Sequence, residues 1–136
     1  MEDNLFDLEI ISPERDFYEG KAAFIEMTTT EGDIGVYKMH IPVTCMLVPG
    51  MVKIYEESPN SEPKKAIIHG GFVEILRKRV RIMAEIAEWP EEIDLNRAEE
   101  ARIRAERRIE AGGDGVDIGR AEAALKRSLA RINALK

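Results

Sequence analysis

The sequence is poor in the residues that staple or catalyse. Its one cysteine, Cys45, excludes an internal disulfide. Two histidines, His40 and His69, stand without the Cys, His or carboxylate spacing that would complete a zinc site or a general-base pair. Structural roles are expected for both, and for Cys45 that of a buried small hydrophobe. Aromatic residues make up only 6% of the chain, with a single tryptophan. No apolar run approaches the length of a membrane span, and the acidic start Met1-Glu2-Asp3-Asn4 is the reverse of a basic leader. Membrane association is therefore expected only through partners. A Walker loop, a Gly-x-Ser-x-Gly elbow and a catalytic dyad are all missing, which argues against a hydrolase.

What is present suffices for one packed domain and a small appendage: 136 residues, 44% hydrophobic and 34% charged. The net charge of -6 is concentrated before residue 90, and arginine dominates the basic residues after it. Arginine matches phosphate and carboxylate through a planar fork.

Two periodicities divide the chain. As far as residue 88 the period is two: Phe6, Leu8 and Ile10, then Ala23, Ile25 and Met27, then Val80, Ile82, Ala84 and Ile86. Short apolar runs at Val43 to Val48, Met51 to Tyr55, Ala66 to Ile68 and Phe72 to Leu76 lie between turn signals at Pro49-Gly50, Ser58-Pro59-Asn60 and Gly70-Gly71. Close strands without intervening helices predict an antiparallel sandwich or barrel, with the sandwich favoured. Beyond Pro90 apolar residues step by three or four, so residues 89–136 are expected to be helical: one helix capped by Asp94, a break at Gly112 to Gly115, and a second helix capped by Asp117, folded back as an antiparallel hairpin. The fold class is thus α+β, mainly β, with a sandwich over 1–88 and a two-helix hairpin after it. The hairpin seam is largely alanine, which removes little apolar area from water and gives weak cohesion.

At about 100° per residue, Arg97, Arg104 and Arg108 share one face of the first helix, and Arg120, Arg127 and Arg131 one face of the second. Such rows suit a polyanion, with a triphosphate the natural candidate. The competing reading is a solvated face neutralised by Glu99, Glu100, Glu106 and Glu122. Asp94 serves as a helix cap, a ligand contact or both. Trp89 either covers the end of the sandwich, the favoured role, or stacks on a base.

Specific segments carry a family resemblance. Glu31 to Pro42, with Gly32, Gly35, His40 and Pro42 in place and Asp33 for Glu, resembles the Gly-Glu-Leu-Gly-x-x-Pro-Gly-His-x-Pro signature of epsilon subunits of bacterial F-type ATP synthases, except that Lys38-Met39 replaces Pro-Gly. Pro49-Gly50-Met51 and His69-Gly70-Gly71-Phe72-Val73-Glu74-Ile75 follow in the family's order, and Ile93-Asp94-Leu95-Asn96-Arg97-Ala98 is similar to the Ile/Leu-Asp-x-x-Arg-Ala motif of members that bind ATP.

The resemblance implies a non-catalytic rotor subunit of a proton-translocating enzyme, peripheral at the cytoplasmic face of the plasma membrane. Its sandwich would bind the gamma subunit and the c-subunit ring. Its hairpin would lie compact or extend into the alpha/beta hexamer to inhibit ATP hydrolysis, with ATP, independent of magnesium, holding the compact form. The residues matching the ATP site are Glu88, Ile93, Asp94, Arg97, Ala98, Arg104, Arg120, Arg127 and Arg131. The Asp33 to His40 loop matches the c-ring side, with Asp33, Tyr37 and His40 as contacts. No metal is implied. The rival function is a free-standing anion or nucleic-acid binding module, which the hairpin's balanced charge disfavours because phosphate tracking needs a basic stripe.

Overall fold

The computed structural model describes residues 4–113 and 115–136. It divides into two units, Met1–Trp89 and Pro90–Lys136. Asp114, within the expected interhelical break, lies outside the described residues.

Among the described residues the first unit holds eight strands: β1 (Phe6–Ile11), β2 (Asp16–Ala22), β3 (Phe24–Thr29), β4 (Gly32–Val36), β5 (Val43–Met46), β6 (Gly50–Tyr55), β7 (Lys64–Ile75) and β8 (Arg79–Glu88). They hydrogen-bond in the order β2-β1-β8-β7-β6-β3-β4, with β5 also on β7. Alternate residues Phe6, Leu8, Ile10, Ile25, Met27, Val52, Ile54, Val80 and Ile82 are buried in a common core, as period-two burial requires.

Three features differ from the sequence expectation. Gly70-Gly71 is not a turn between strands but a bend inside the continuous β7. Before the bend β7 pairs with β6, and after it with β5. Core positions change parity across it, from Ile68 to Val73 on β7 and from Ala84 to Ala87 on β8. One hydrogen-bonded sheet thereby turns over into the two layers of the sandwich. Gly71 makes the bend with φ 104, and a Cβ there would lie 2.1 Å from the Met83 carbonyl oxygen. The second difference is that β1 runs parallel to β8, whereas the other strand pairings described are antiparallel. No hairpin joins two strands so distant in sequence, so no turn fixes their relative direction. The third is that Gly32–Val36 is a strand rather than part of a loop.

The second unit opens with a 3-10 turn at Pro90–Glu92, followed by α1 (Leu95–Ala111) and α2 (Ile118–Ala134). Asp94 caps α1 by accepting from the Arg97 amide at 3.2 Å, and Asp117 caps α2 by accepting from the Arg120 amide at 3.0 Å. The helices pack on each other through Ala98, Ala105, Ala121, Ser128 and Ile132. Ser128 satisfies its hydroxyl within α2, donating to the Ala124 carbonyl at 2.9 Å.

Candidate functional site

The hairpin is internally repetitive. Asp94, Arg97, Ala98, Glu99, Ala101, Arg104, Arg108 and Ile109 recur in order, at the same spacing, as Asp117, Arg120, Ala121, Glu122, Ala124, Arg127, Arg131 and Ile132. Buried seam residues fall at equivalent places, Ala98 with Ala121 and Ala105 with Ser128. In each helix the arginine row is therefore rotated from the seam by roughly 100° in the same sense. Antiparallel helices are related by an approximate two-fold axis normal to their common plane, and that rotation keeps a given side of one helix on the same side of its partner. Both arginine rows consequently lie on one broad face of the hairpin.

Two of the four carboxylates expected to neutralise those rows, Glu99 and Glu106, are committed elsewhere. Arg102, outside both rows, bonds Glu106 at 2.6 Å and Glu99 at 3.1 Å, and these hold its guanidinium pKa above the usual value. Arg97, Arg104, Arg108 and Arg120 are exposed, and among the described residues none has a carboxylate oxygen within 4.0 Å. Arg127 and Arg131 are half-buried. A face of like charges is stabilised by an anion, and several guanidinium forks can share one polyphosphate.

The remaining residues of the sequence-derived ATP set belong to different elements. Asp94 is exposed at the start of α1, its carboxylate on the Arg97 amide, and Ile93 is half-buried, its amide 3.1 Å from the Pro90 carbonyl. Ala98 is 4% exposed, its methyl committed to the helix seam. Glu88 belongs to the sandwich, where its carboxylate lies 2.7 Å from His69 Nε2. His69 is buried in β7 beside it, a structural placement, while His40 directs Nδ1 to the Ile41 carbonyl at 2.7 Å. Cys45 is half-buried against the core rather than fully enclosed, because β5 is an edge strand with a single partner.

On the sandwich, strand alternation puts Asp33 and Gly35 on one side of β4, and Tyr37 follows directly after its end. Thr28 donates to Asp33 at 2.8 Å, and the Tyr37 ring lies 4.4 Å from that of Phe24. Phe24 crosses β4 directly over Gly35, where a Cβ would meet the ring at 2.7 Å. A surface cavity of about 380 Å³ opens here, lined in part by Phe24, Glu26, Thr28, Asp33 and Lys53. His40 lies outside β4. It follows a turn, Tyr37 to His40, closed by the His40 amide on the Tyr37 carbonyl at 3.3 Å, with Met39 at φ 72. Phe24 and Glu26 were missed from sequence. Their signal was available, since the inward set Ala23, Ile25 and Met27 sends Phe24 and Glu26 outward.

The two units correspond to two family models. Residues 5–90 match the ATP synthase, Delta/Epsilon chain, beta-sandwich domain, and residues 91–136 match the ATP synthase, Delta/Epsilon chain, long alpha-helix domain. The chain belongs to the ATP synthase delta/epsilon family. A protein named ATP synthase epsilon chain from Caldanaerobacter subterraneus subsp. tengcongensis is 44% identical over 131 residues, covering 96% of this chain and 93% of its own. The epsilon chain of Clostridium kluyveri is 41% identical over 129 residues, covering 95% and 96%. In fold, the chain resembles one in the cryo-EM structure of the Euglena gracilis mitochondrial ATP synthase OSCP/F1/c-ring, with TM-score 0.84, 24% identity and coverage of 96% of this chain and 81% of that one.

Membership of the delta/epsilon family makes this a non-catalytic subunit. It also gives meaning to the turn at Lys38-Met39. Where the signature has Pro-Gly, the ideal pair for the middle of a type II turn, this chain keeps the turn with a methionine in the position that demands positive φ. Among the described residues no helix is long and apolar enough to cross a membrane, and none of the His, Cys, Asp and Glu side chains form a group suited to a metal ion.

Proposed function

We propose that this chain is a rotor subunit that couples the gamma subunit to the c ring and restrains ATP hydrolysis through its hairpin, with ATP as the regulatory ligand of the compact form. The supporting observation is the arginine face: two rows on the same side of the hairpin, with nearby glutamates engaged by Arg102 instead. Arg97, Arg104, Arg120, Arg127 and Arg131 bind the phosphates, while Ile93 and Asp94 at the start of α1 meet the nucleoside. Arginines neutralise the triphosphate without magnesium. Asp33 and Tyr37, tied to Thr28 and Phe24 of β3, contact the c ring, and His40 supports the adjoining turn. The Euglena chain of this fold was seen within an OSCP/F1/c-ring assembly, which supports a c ring as partner. Extended, the hairpin reaches the alpha/beta hexamer. The subunit resides on the cytoplasmic face of the plasma membrane, held there by the complex.

Linkage supplies the mechanism. A ligand of one form alone stabilises it by RT ln(1+[L]/Kd), about 2.7 kcal/mol at a hundredfold excess over Kd. Isothermal titration of the full chain with ATP in EDTA is expected to give saturable heat, weakened at least tenfold by Arg127→Ala with Arg131→Ala. Absence of heat at millimolar ATP refutes the ligand reading, and heat that requires magnesium refutes its metal independence.

A further inference from the structure

The end of β8 is held more firmly than a passage into a linker requires. Three consecutive residues are tied to the sandwich at two places, the start of β2 and the middle of β7. The Ala87 carbonyl accepts from the Arg15 guanidinium at 3.3 Å. The Glu88 carboxylate meets His69. The Trp89 indole stacks on Phe17, ring centroids 4.3 Å apart and planes 22° from parallel, and meets the edge of Tyr18 at 6.3 Å.

A second ring of contacts fixes the groups that do the holding. Arg15 lies over the Phe17 ring at 5.0 Å. Tyr18 donates to Glu56, and Glu56 pairs with Lys64 at 3.1 Å. Phe17 and Tyr18 are both buried in the sandwich core, and Trp89 packs against that core. An offset-stacked aromatic pair is favourable beyond its area burial. Immediately afterwards the backbone changes character: Pro90 opens a single 3-10 turn, and α1 starts only after Asp94.

We propose that Phe17 and Tyr18 form an aromatic clamp that makes Trp89 a fixed part of the sandwich, so that displacement of the hairpin pivots on residues 90–94. The pivot rests on the moving-hairpin reading above, whereas the clamp stands on the sandwich alone. A hinge needs one immobile side, and the Trp89 stack supplies it. The short 3-10 turn and the helix cap are where backbone dihedrals can change without breaking core contacts.

Trp89 is the chain's sole tryptophan, so its fluorescence reports the clamp directly. In the full chain, Phe17→Leu, which keeps a buried apolar side chain but removes the ring, is expected to red-shift the emission and lower its anisotropy while far-UV circular dichroism is unchanged. Phe17→Ala should do the same more strongly. Emission unchanged in a folded Phe17→Leu variant overturns the clamp. Energy transfer from Trp89 to an acceptor on an introduced cysteine, in a Cys45→Ser background, tests the pivot. With the acceptor at Asn60 in the sandwich, adding ATP in EDTA should leave transfer constant, and with it at Glu122 on α2 transfer should change. A change at Asn60 shows Trp89 moving with the hairpin and overturns the fixed pivot. Constancy at both sites overturns the moving hairpin, and the pivot with it, while the emission of the Phe17 variants still decides the clamp.

Discussion

Met39 offers a test in which the backbone can be separated from the side chain. Its φ of 72 is in the left-handed region, and its side chain is 50% exposed. Replacing it with glycine alone would mix relief of backbone strain with loss of a half-buried side chain. The informative comparison is Met39→Gly against Met39→Ala, because both lose the same methionine contacts. The left-handed conformation costs an L-residue about 1–2 kcal/mol. Glycine gives back about 0.5–1 kcal/mol through the greater freedom of its unfolded chain. The glycine variant is thus expected to be the more stable by about 0.5–1 kcal/mol, the reverse of the order at an ordinary strand or helix position. For a domain of this size that difference corresponds to about 2–8 °C in Tm. Urea unfolding followed by Trp89 emission reads the sandwich, since that ring packs on the sandwich core. Equal stability, or alanine ahead, refutes the assignment of strain to this turn.

Two other expectations follow from the sandwich. Gly71→Ala should destabilise it by about 3 kcal/mol or more, since a new Cβ would sit 2.1 Å from the Met83 carbonyl oxygen, whereas Gly113→Ala, with nothing within 4 Å, should cost only its local backbone strain; similar unfolding midpoints for the two would contradict the bend. The Tyr18–Glu56 bond predicts a pH dependence with two limbs. Burial, then the Glu56 hydrogen bond, raises the Tyr18 pKa, so its contribution is complete below the usual phenol value of 10.0 and is lost as pH rises through the raised folded value. The Tyr18 hydroxyl lowers the Glu56 pKa, so that contribution is complete above the ordinary carboxylate range and is lost as pH falls through the lowered value. Tyr18→Phe should therefore be less stable near neutrality, by roughly 1 kcal/mol after solvent screening of the partly exposed Glu56. The gap should narrow at both extremes; a constant gap across pH 3 to 11 by thermal melts counts against the bond.

Legibility in the sequence followed the locality of the forces. The change of period at Pro90 and the caps at Asp94 and Asp117 are set within a few residues, and all three are where the sequence placed them. Gly70-Gly71 was misread because positive φ serves a tight turn and a strand bend equally. The distinction lies in the Met83 carbonyl, which approaches from another strand. The parallel β1·β8 pair depends on packing between the first and last strands of the sandwich and leaves no local mark. For the candidate site, steps of seven and four revealed the arginine rows, but their common face required the internal repeat and the seam to be read together. Phe24 became a site residue only when β4 was paired with β3 and Gly35 was seen beneath the ring.

The two halves of the chain invest their apolar residues differently, and this difference is what makes a ligand-set switch energetically feasible. The sandwich buries large side chains, Phe6, Leu8, Ile10, Ile25 and Ile82 among them, each at 1% exposure or less. Full burial of one such residue contributes about 1.5–3 kcal/mol. The hairpin instead closes on Ala98, Ala105 and Ala121, each offering one methyl at about 0.8 kcal/mol, on Ser128, whose hydroxyl is satisfied inside its own helix and adds no bond across the seam, and on a single large side chain, Ile132. A ligand contribution of about 2.7 kcal/mol is then comparable to the whole alanine part of the seam yet small beside the sandwich core. Under the proposed brake, nucleotide can decide the state of the hairpin without endangering the body that carries it. Under the same proposal the exposed Arg97, Arg104, Arg108 and Arg120 strengthen that dependence, because like charges gathered on one face are relieved by a bound anion.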